Sequence, residues 1–476
     1  MISQELDISP ELIAILSAEQ AWHYRILIKA KHANFLELYV SDKHYSAQLS
    51  EELELILGHK LNVIRVDDDL IDNSLKKYYK KQSTDARITN LQYTGSQEEF
   101  LKKLISEAKH LKSSDIHIET YEENCRIRLR IDGQLVERFR IEKKDYPSVI
   151  NKIKIMSNLD ISEKRLPQDG RIFFADGKDK FDIRVSILPT LHGEKVVLRL
   201  LNNDATEIDI YKLGFSKVDL SNYLEAIARP NGILLISGPT GSGKTTTLYA
   251  TLKLLNKDSR NITTIEDPIE YTLEGVNQVQ LRENIGFTFS AALRNFLRQD
   301  PNIIMVGEIR DTETANMAIR ASLTGHLVLS TIHTNSAWGT VARLIDMGIP
   351  PFLVADTLNT TIAQRLIRVL CSFCKEKQAF DNSLYPRQFI PFKPVHEHYV
   401  ATGCKTCYFT GYLGRKAVYE VIPIDYELSN QIKNNNFRIT DLLQVRGIRT
   451  LAENAFELFA SGETTLSEIF ALLYNF

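Results

Sequence analysis

Short runs rich in β-branched and apolar residues, each ending in polar or charged ones, recur four times between positions 232 and 333 of this chain. They are Gly232-Ile233-Leu234-Leu235-Ile236-Ser237, Ile262-Thr263-Thr264-Ile265, Ile303-Ile304-Met305-Val306 and Leu327-Val328-Leu329-Ser330-Thr331-Ile332. Each is too short for a helix and too continuous for a half-exposed strand, so the pattern predicts buried strands of a parallel sheet. Thr245 to Leu255 has helical spacing and follows the first run closely. A sheet of this kind gathers its ligand-binding groups at the carboxyl ends of its strands. Glu266, Glu308 and His333 stand at those ends here.

The flanks read differently. Residues 100–111 have helical spacing, and Arg126-Ile127-Arg128-Leu129-Arg130-Ile131 alternates as a strand before an Asp132-Gly133 hairpin turn. That alternation puts three arginines on one face, expected to be solvated. Nearer the start, 10–21 and 47–57 predict helices, and 24–28, 36–39 and 63–66 predict strands of a small α/β module. A linker rich in Lys, Ser, Thr and Gln follows over 75–97. Beyond the four runs, 362–368 reads as a connecting helix, and from Tyr426 the chain predicts helices, with Gly462 to Glu468 as a loop and N-cap before the last. The fold class is α/β, in segments 1–85, 86–205, 206–360, 361–425 and 426–476.

Composition narrows the setting. Of the 476 residues 43% are hydrophobic, and the formal net charge is -2, so there is no general attraction to DNA or to an anionic membrane. Nucleic acid is not expected as a partner. No apolar run approaches the roughly 18 residues of a spanning helix. The first seven residues have neither a basic region nor an apolar core, so the chain is expected in the cytoplasm.

The most specific chemistry follows the first strand. Gly238-Pro239-Thr240-Gly241-Ser242-Gly243-Lys244-Thr245 fits the G-x-x-x-x-G-K-[ST] phosphate loop at every fixed position. The glycines let backbone N–H groups turn inward around phosphates, Lys244 reaches the β/γ-phosphates, and the Thr245 hydroxyl is placed for Mg²⁺. ATP is therefore the expected ligand. Glu308, after an apolar run, has the Walker B form with glutamate in place of the commoner aspartate. Of Glu266 and Glu270, one can face the γ-phosphate while the other makes a structural ion pair. His333 either senses the γ-phosphate or satisfies a buried backbone group.

Two further constellations lie outside that core. Arg171, Arg184 and Arg199 are embedded among β-branched residues, where a guanidinium needs an anion. A phosphate at a domain interface would supply one, and so would an internal salt bridge with Asp169 or Asp182. Cys371 and Cys374, then Cys404 and Cys407, form two C-x₂-C knuckles, the spacing of a closed tetrahedral Zn²⁺ site with a structural role. Cys125 stands outside the pattern and reads as a core residue.

The sequence resembles the secretion ATPases of type II secretion and type IV pilus assembly, the GspE/PilB-like family. The resemblance is carried by Gly238 to Thr246, by Thr264-Ile265-Glu266-Asp267-Pro268-Ile269-Glu270-Tyr271, and by Leu297-Arg298-Gln299-Asp300-Pro301 leading into Val306-Gly307-Glu308-Ile309-Arg310-Asp311. It continues through Leu323-Thr324-Gly325-His326 to His333-Thr334-Asn335, with Ser114 to Glu119 upstream. It implies a RecA-like P-loop core over 206–360, a PAS-like arginine-bearing domain before it, and a first domain that docks onto an inner-membrane platform. It also implies a homohexamer, peripheral to the inner membrane, that hydrolyses ATP to drive pilus or pseudopilus assembly. In that analogy Glu308 is the Walker B acid, Glu266 the leading candidate for activating water, and Arg184 and Arg199, with Arg171 nearby, swing onto the nucleotide. The tetracysteine module points to an assembly motor rather than a retraction motor. The alternative from another class is a DNA-uptake or nucleic-acid translocation motor on a similar core, and a third is a nucleotide-gated scaffold without turnover.

Overall fold

In the computed structural model the four apolar runs form the middle of a seven-stranded sheet. The structure describes residues 18–32, 35–46, 59–79, 97–176, 179–201, 208–386 and 388–474, with shorter pieces before residue 58. The sheet order is Asn277–Gln280, Ile262–Glu266, Ile303–Val306, Leu327–Ile332, Gly232–Ser237, Leu358–Leu370, Tyr412–Pro423. All neighbours are parallel except the last pair, which is antiparallel. Alternate residues of one strand enter two different cores, which is why the runs are continuously apolar. Ile233, Leu235, Ile304, Val306 and Val328 pack with the helices Phe289–Phe296 and Thr312–Leu323 on one side. Leu234, Ile236, Met305 and Leu329 pack with Lys217–Ala228 and Lys244–Leu255 on the other.

Residues 362–368 are a strand, not the expected helix. Apolar residues at 362, 363, 366 and 367 fit a helical stripe, but the segment lies between two strands that both need a partner. It pairs parallel with Gly232–Ser237 and antiparallel with Tyr412–Pro423, and tertiary pairing overrides the local pattern. The expected boundary at 360/361 therefore falls inside one strand, and the cysteine-bearing segment is inserted between two strands of the main sheet. The remaining chain forms four helices, Tyr426–Lys433, Thr440–Val445, Leu451–Ala460 and Leu466–Tyr474. The third opens on a capping box of Thr450 and Glu453 and buries Phe456 and Phe459.

Upstream, six antiparallel strands form a second sheet in the order Gln134–Ile141, Cys125–Ile131, Asp115–Thr120, Gly193–Leu201, Asp179–Thr190, Gln168–Asp176. Helices Gln97–His110 and Tyr146–Met156 contribute to the core on its apolar face, where Cys125 is buried as expected. Asp132 and Gly133 take positive φ (49° and 87°), as a tight hairpin turn of right-handed twist requires. The opposite face is an ion-pair network rather than a solvated stripe. Arg126 (3.1 Å), Arg128 (2.8 Å) and Lys195 (3.2 Å) converge on buried Glu119, and Arg130 (3.2 Å) and Arg199 (2.9 Å) on buried Asp115. Burial by itself would raise the Glu119 pKa, but its cations together hold it down to about 2. This sheet touches the core sheet at the Asp132 turn, where Asp132 accepts from Gly414 N at 2.8 Å and lies 3.8 Å from Arg415.

The chain divides into two compact units, Met1–Thr89 and Asn90–Phe476. In the first, Phe35–Ser41 is the central strand, antiparallel to Ile26–Lys31 and parallel to Lys60–Val66. The helix expected over 10–21 is two pieces, Pro10–Ile13 and Ala18–Tyr24. The helix expected over 47–57 falls largely outside the described residues, as does the linker beyond residue 79, where Asp68–Tyr78 continues as helix. Among the described residues no helix is long and apolar enough to cross a membrane.

Candidate nucleotide site and tetracysteine centre

Parallel register aligns the carboxyl ends of the central strands, Ser237 opposite Ile332 and Ile265 opposite Val306. The phosphate loop, Glu266, Glu308 and His333 thus share one edge of the sheet. Gly238, Gly241 and Gly243 all have positive φ (149°, 79° and 87°), and Gly238 is also packed against the chain: a Cβ there would sit 2.5 Å from Gln364 O. Lys244 curls back onto its own loop, donating to Gly238 O (2.7 Å) and Pro239 O (3.0 Å). Burial lowers its pKa, and the nearby Glu308 opposes that shift. Pro239, Thr240, Thr245 and Thr246 are exposed at the mouth, while Ser242 is buried.

Glu308 pairs with Arg310 and lies 3.5 Å from His333 Nε2. His333 is 52% exposed, so the structure places it against Glu308 and not on a buried backbone group.

The acidic box separates its two glutamates. Glu266 is 3% exposed and both its oxygens are taken: Oε1 accepts from Thr264 Oγ1 (2.6 Å) and Gln278 Nε2 (3.0 Å), and Oε2 from the Tyr249 hydroxyl. Burial first, then Glu266, push the Tyr249 phenol upward, which keeps the proton on tyrosine as donor. With these three donors the buried Glu266 carboxylate is fully engaged as an acceptor. The Glu270 side chain is 39% exposed, and among the described residues its carboxylate pairs with Arg184 alone, at 3.8 Å. Arg184 also donates to Ile269 O at 3.2 Å. Gln280 accepts from Ile269 N (3.0 Å) and Gln278 from Leu273 N (2.7 Å), so the edge strand holds the loop that carries Glu270.

Arg171, Arg184 and Arg199 occupy one row across three adjacent strands, and Asp115 continues the row. Only Arg184 among them meets the acidic box. The internal salt bridge considered from sequence exists for Arg199, but its acid is Asp115, a partner distant in sequence, instead of Asp169 or Asp182. Sequence reasoning missed Gln364 and Arg365 altogether. Both overhang the phosphate loop because 358–370 is a strand beside it: Gln364 accepts from Thr247 Oγ1 at 2.9 Å, and Arg365 donates to Asn335 O at 2.9 Å.

Away from this edge, Cys371, Cys374, Cys404 and Cys407 bring their sulfurs within 4.8 Å of one another. Individual separations are 3.9 Å (Cys371 to Cys404), 3.7 Å (Cys374 to Cys407) and 3.8 Å (Cys404 to Cys407). Four sulfurs at about 2.3 Å from a tetrahedral zinc would be about 3.8 Å apart, so the donor set and its spacing fit the ion. Backbone N–H groups of Cys404 (3.1 Å) and Gly411 (3.3 Å) point at Cys407 Sγ, as expected around a thiolate ligand.

The chain is similar to known proteins. The family described as Type II/IV secretion system protein matches residues 90–471. The chain is 39% identical, over 98% of its length and 87% of the relative's, to the type IV pilus assembly ATPase PilB of Myxococcus xanthus. It is 40% identical, over 96% of its length and 89% of the relative's, to the type II secretion system protein E of Pseudomonas aeruginosa. Among solved structures, the pilus retraction motor PilT with bound ADP is similar over 78% of this chain and 96% of that one, at 26% identity and a TM-score of 0.52. The Legionella pneumophila ATPase DotB is similar in fold over 82% of this chain and 100% of its own, at 22% identity and a TM-score of 0.62. These likenesses agree with a RecA-like α/β core. Matched over most of its length by the family and by such relatives, the chain belongs to the Type II/IV secretion system proteins, a family of ATPases.

Proposed function

We propose that the chain is the assembly motor of a type IV pilus or type II secretion pseudopilus, hydrolysing ATP at the cytoplasmic side of the inner membrane. The observation that carries this reading is the shared edge of the parallel sheet, where the Lys244 loop, Glu308 and the Glu270 loop lie together and Arg184 arrives from the upstream sheet. Gly238 to Thr246 cradle the phosphates, and Lys244 leaves its loop carbonyls for the β/γ-phosphates. Thr245 and Glu308 would hold Mg²⁺, which would supply charge neutralisation at the phosphate oxygens. Glu270, the less engaged acid, takes the proton of the attacking water, and Glu266 holds the loop in place. Arg184 stabilises the leaving charge, and Arg199 and Arg171 follow in the same row when the upstream sheet closes. His333 couples its strand to Glu308.

The rest of the chain has parts in the same reading. Residues 86–205 form the closing domain, 1–85 the module that docks on a membrane platform, and Cys371, Cys374, Cys404 and Cys407 a structural zinc centre. A working homohexamer with platform proteins as partners belongs to the same reading, alongside relatives named as a type IV pilus assembly ATPase and a pilus retraction motor. The test pairs ATPase activity of the purified chain with restoration of pili or secretion in a strain lacking it. Lys244→Ala is expected to abolish both, and ATP turnover retained in that variant would overturn the reading.

A further inference from the structure

Arg365 has no role in the scheme above, yet it is held over the phosphate loop. A Cβ placed on Gly238 would lie 3.1 Å from its Nη1. Its guanidinium donates to main-chain oxygens, Gln364 O at 3.0 Å and Asn335 O at 2.9 Å. Among the described residues no carboxylate lies within ion-pair distance of it. Glu420, on the neighbouring strand, acts on it only from further away, and both Glu420 oxygens are engaged, by Ala337 N (3.0 Å) and Leu451 N (3.1 Å). Lys244 is in the same condition beside the same loop, bonded to carbonyls alone. Burial lowers both cations' pKa values, and Arg365 contributes to lowering that of Lys244. Two half-desolvated cations that repel each other across a phosphate loop are a site short of an anion.

We propose that Arg365 reads the terminal phosphate of the bound nucleotide, exchanging Asn335 O for a γ-phosphate oxygen, so that ATP and ADP leave residues 334–338 in different positions. The proposal rests on the reading that the Lys244 loop binds ATP. Charge-assisted bonds to phosphate are stronger than bonds to a carbonyl, and the guanidinium fork matches phosphate oxygens, which favours the exchange when a γ-phosphate is present. With ADP, the Asn335 contact stays. The segment it releases is already wired onward. Ala337 N is held by one oxygen of Glu420, and the other oxygen holds the first N–H of helix Leu451–Ala460. The state of the phosphate is thus conveyed to the C-terminal helices through one buried carboxylate.

Equilibrium binding of a non-hydrolysable ATP analogue and of ADP to the full chain tests this, with unfolding temperature as the control. Arg365→Gln is expected to weaken the ATP analogue by roughly 10- to 100-fold, the loss of a charge-assisted bond, and ADP by less than about threefold. Equal weakening of both, or of neither, overturns the proposal. Should Arg365→Gln fail to fold, Arg365→Lys decides: it keeps the charge and loses the fork, so a fall in the ATP-to-ADP affinity ratio supports the proposal and an unchanged ratio overturns it. Lys244→Ala separates the two readings. If it loses both nucleotides while Arg365→Gln leaves the ratio unmoved, only the sensor fails. If it binds both normally, the phosphate-loop reading fails as well.

Discussion

Replacing each acidic-box glutamate by glutamine should produce opposite failures. At position 266 the amide keeps the volume but offers one oxygen to three donors and turns its own N–H₂ toward one of them. Three charge-assisted bonds become neutral ones, each losing about 1 kcal/mol, and the site has little room to relax at 3% exposure. The expected penalty is roughly 2–4 kcal/mol, or a fall in unfolding temperature on the order of 2–5 °C for a unit of this size. At position 270 the side chain is 39% exposed and its ion pair with Arg184 is long, so Glu270→Gln should change stability by less than about 1 kcal/mol. Turnover should rank the other way. Glu270→Gln removes the base and should lower kcat by roughly 10²- to 10⁴-fold with ATP binding intact, while Glu266→Gln should lose activity mainly in step with its folded fraction. Calorimetry and steady-state phosphate release on the two purified variants decide the matter. A Glu266→Gln protein that melts like the wild type yet has lost turnover would refute the assignment and make Glu266 the acid that activates water.

Two other predictions concern the parts around the site. Elemental analysis should find about one zinc per chain, and Cys404→Ser or chelation should release it and lower the unfolding temperature; a metal-free wild type that melts unchanged after chelation would exclude a structural zinc. Glu119 supplies a pH dependence: its folded pKa is depressed to about 2 from an ordinary 4.5, so its contribution to stability is present above pH 4.5 and is lost as pH falls toward 2. Unfolding midpoints measured from pH 6 to pH 3 should fall less steeply in Glu119→Gln than in the wild type, and parallel curves would show that the network does not hold the carboxylate down.

Local signals carried much of the core. Continuous apolar runs ending at Ser237, Glu266 and Glu308 specify buried parallel strands and place the phosphate loop, because both the pattern and the chemistry are contiguous in sequence. What stayed hidden depends on neighbours distant in the chain. The strand 358–370 carries an apolar spacing that serves a helix equally well, and only pairing on both sides decides it, so Gln364 and Arg365 could not be seen as part of the site. Likewise, nothing local tells Glu266 from Glu270. Their difference arises from Tyr249 on the preceding helix Lys244–Leu255 and Gln278 on the edge strand. The arginines at 126, 128 and 130 alternate as an exposed face would, but Glu119 and Asp115 on the next strand turn that face into a closed network.

The pairing of Leu358–Leu370 with Tyr412–Pro423 has a mechanical meaning. Side chains alternate along a strand, so a slip of one residue would turn Gln364 and Arg365 each to the opposite face and break the contacts both now make beside the phosphate loop. The pairing already shifts between Arg368 and Leu370, just before Cys371. Joined by a metal, Cys371 and Cys374 at the end of one strand and Cys404 and Cys407 ahead of the other would pin the hairpin in a single alignment. A centre remote from the nucleotide would then act as the register pin of the strand that overhangs it.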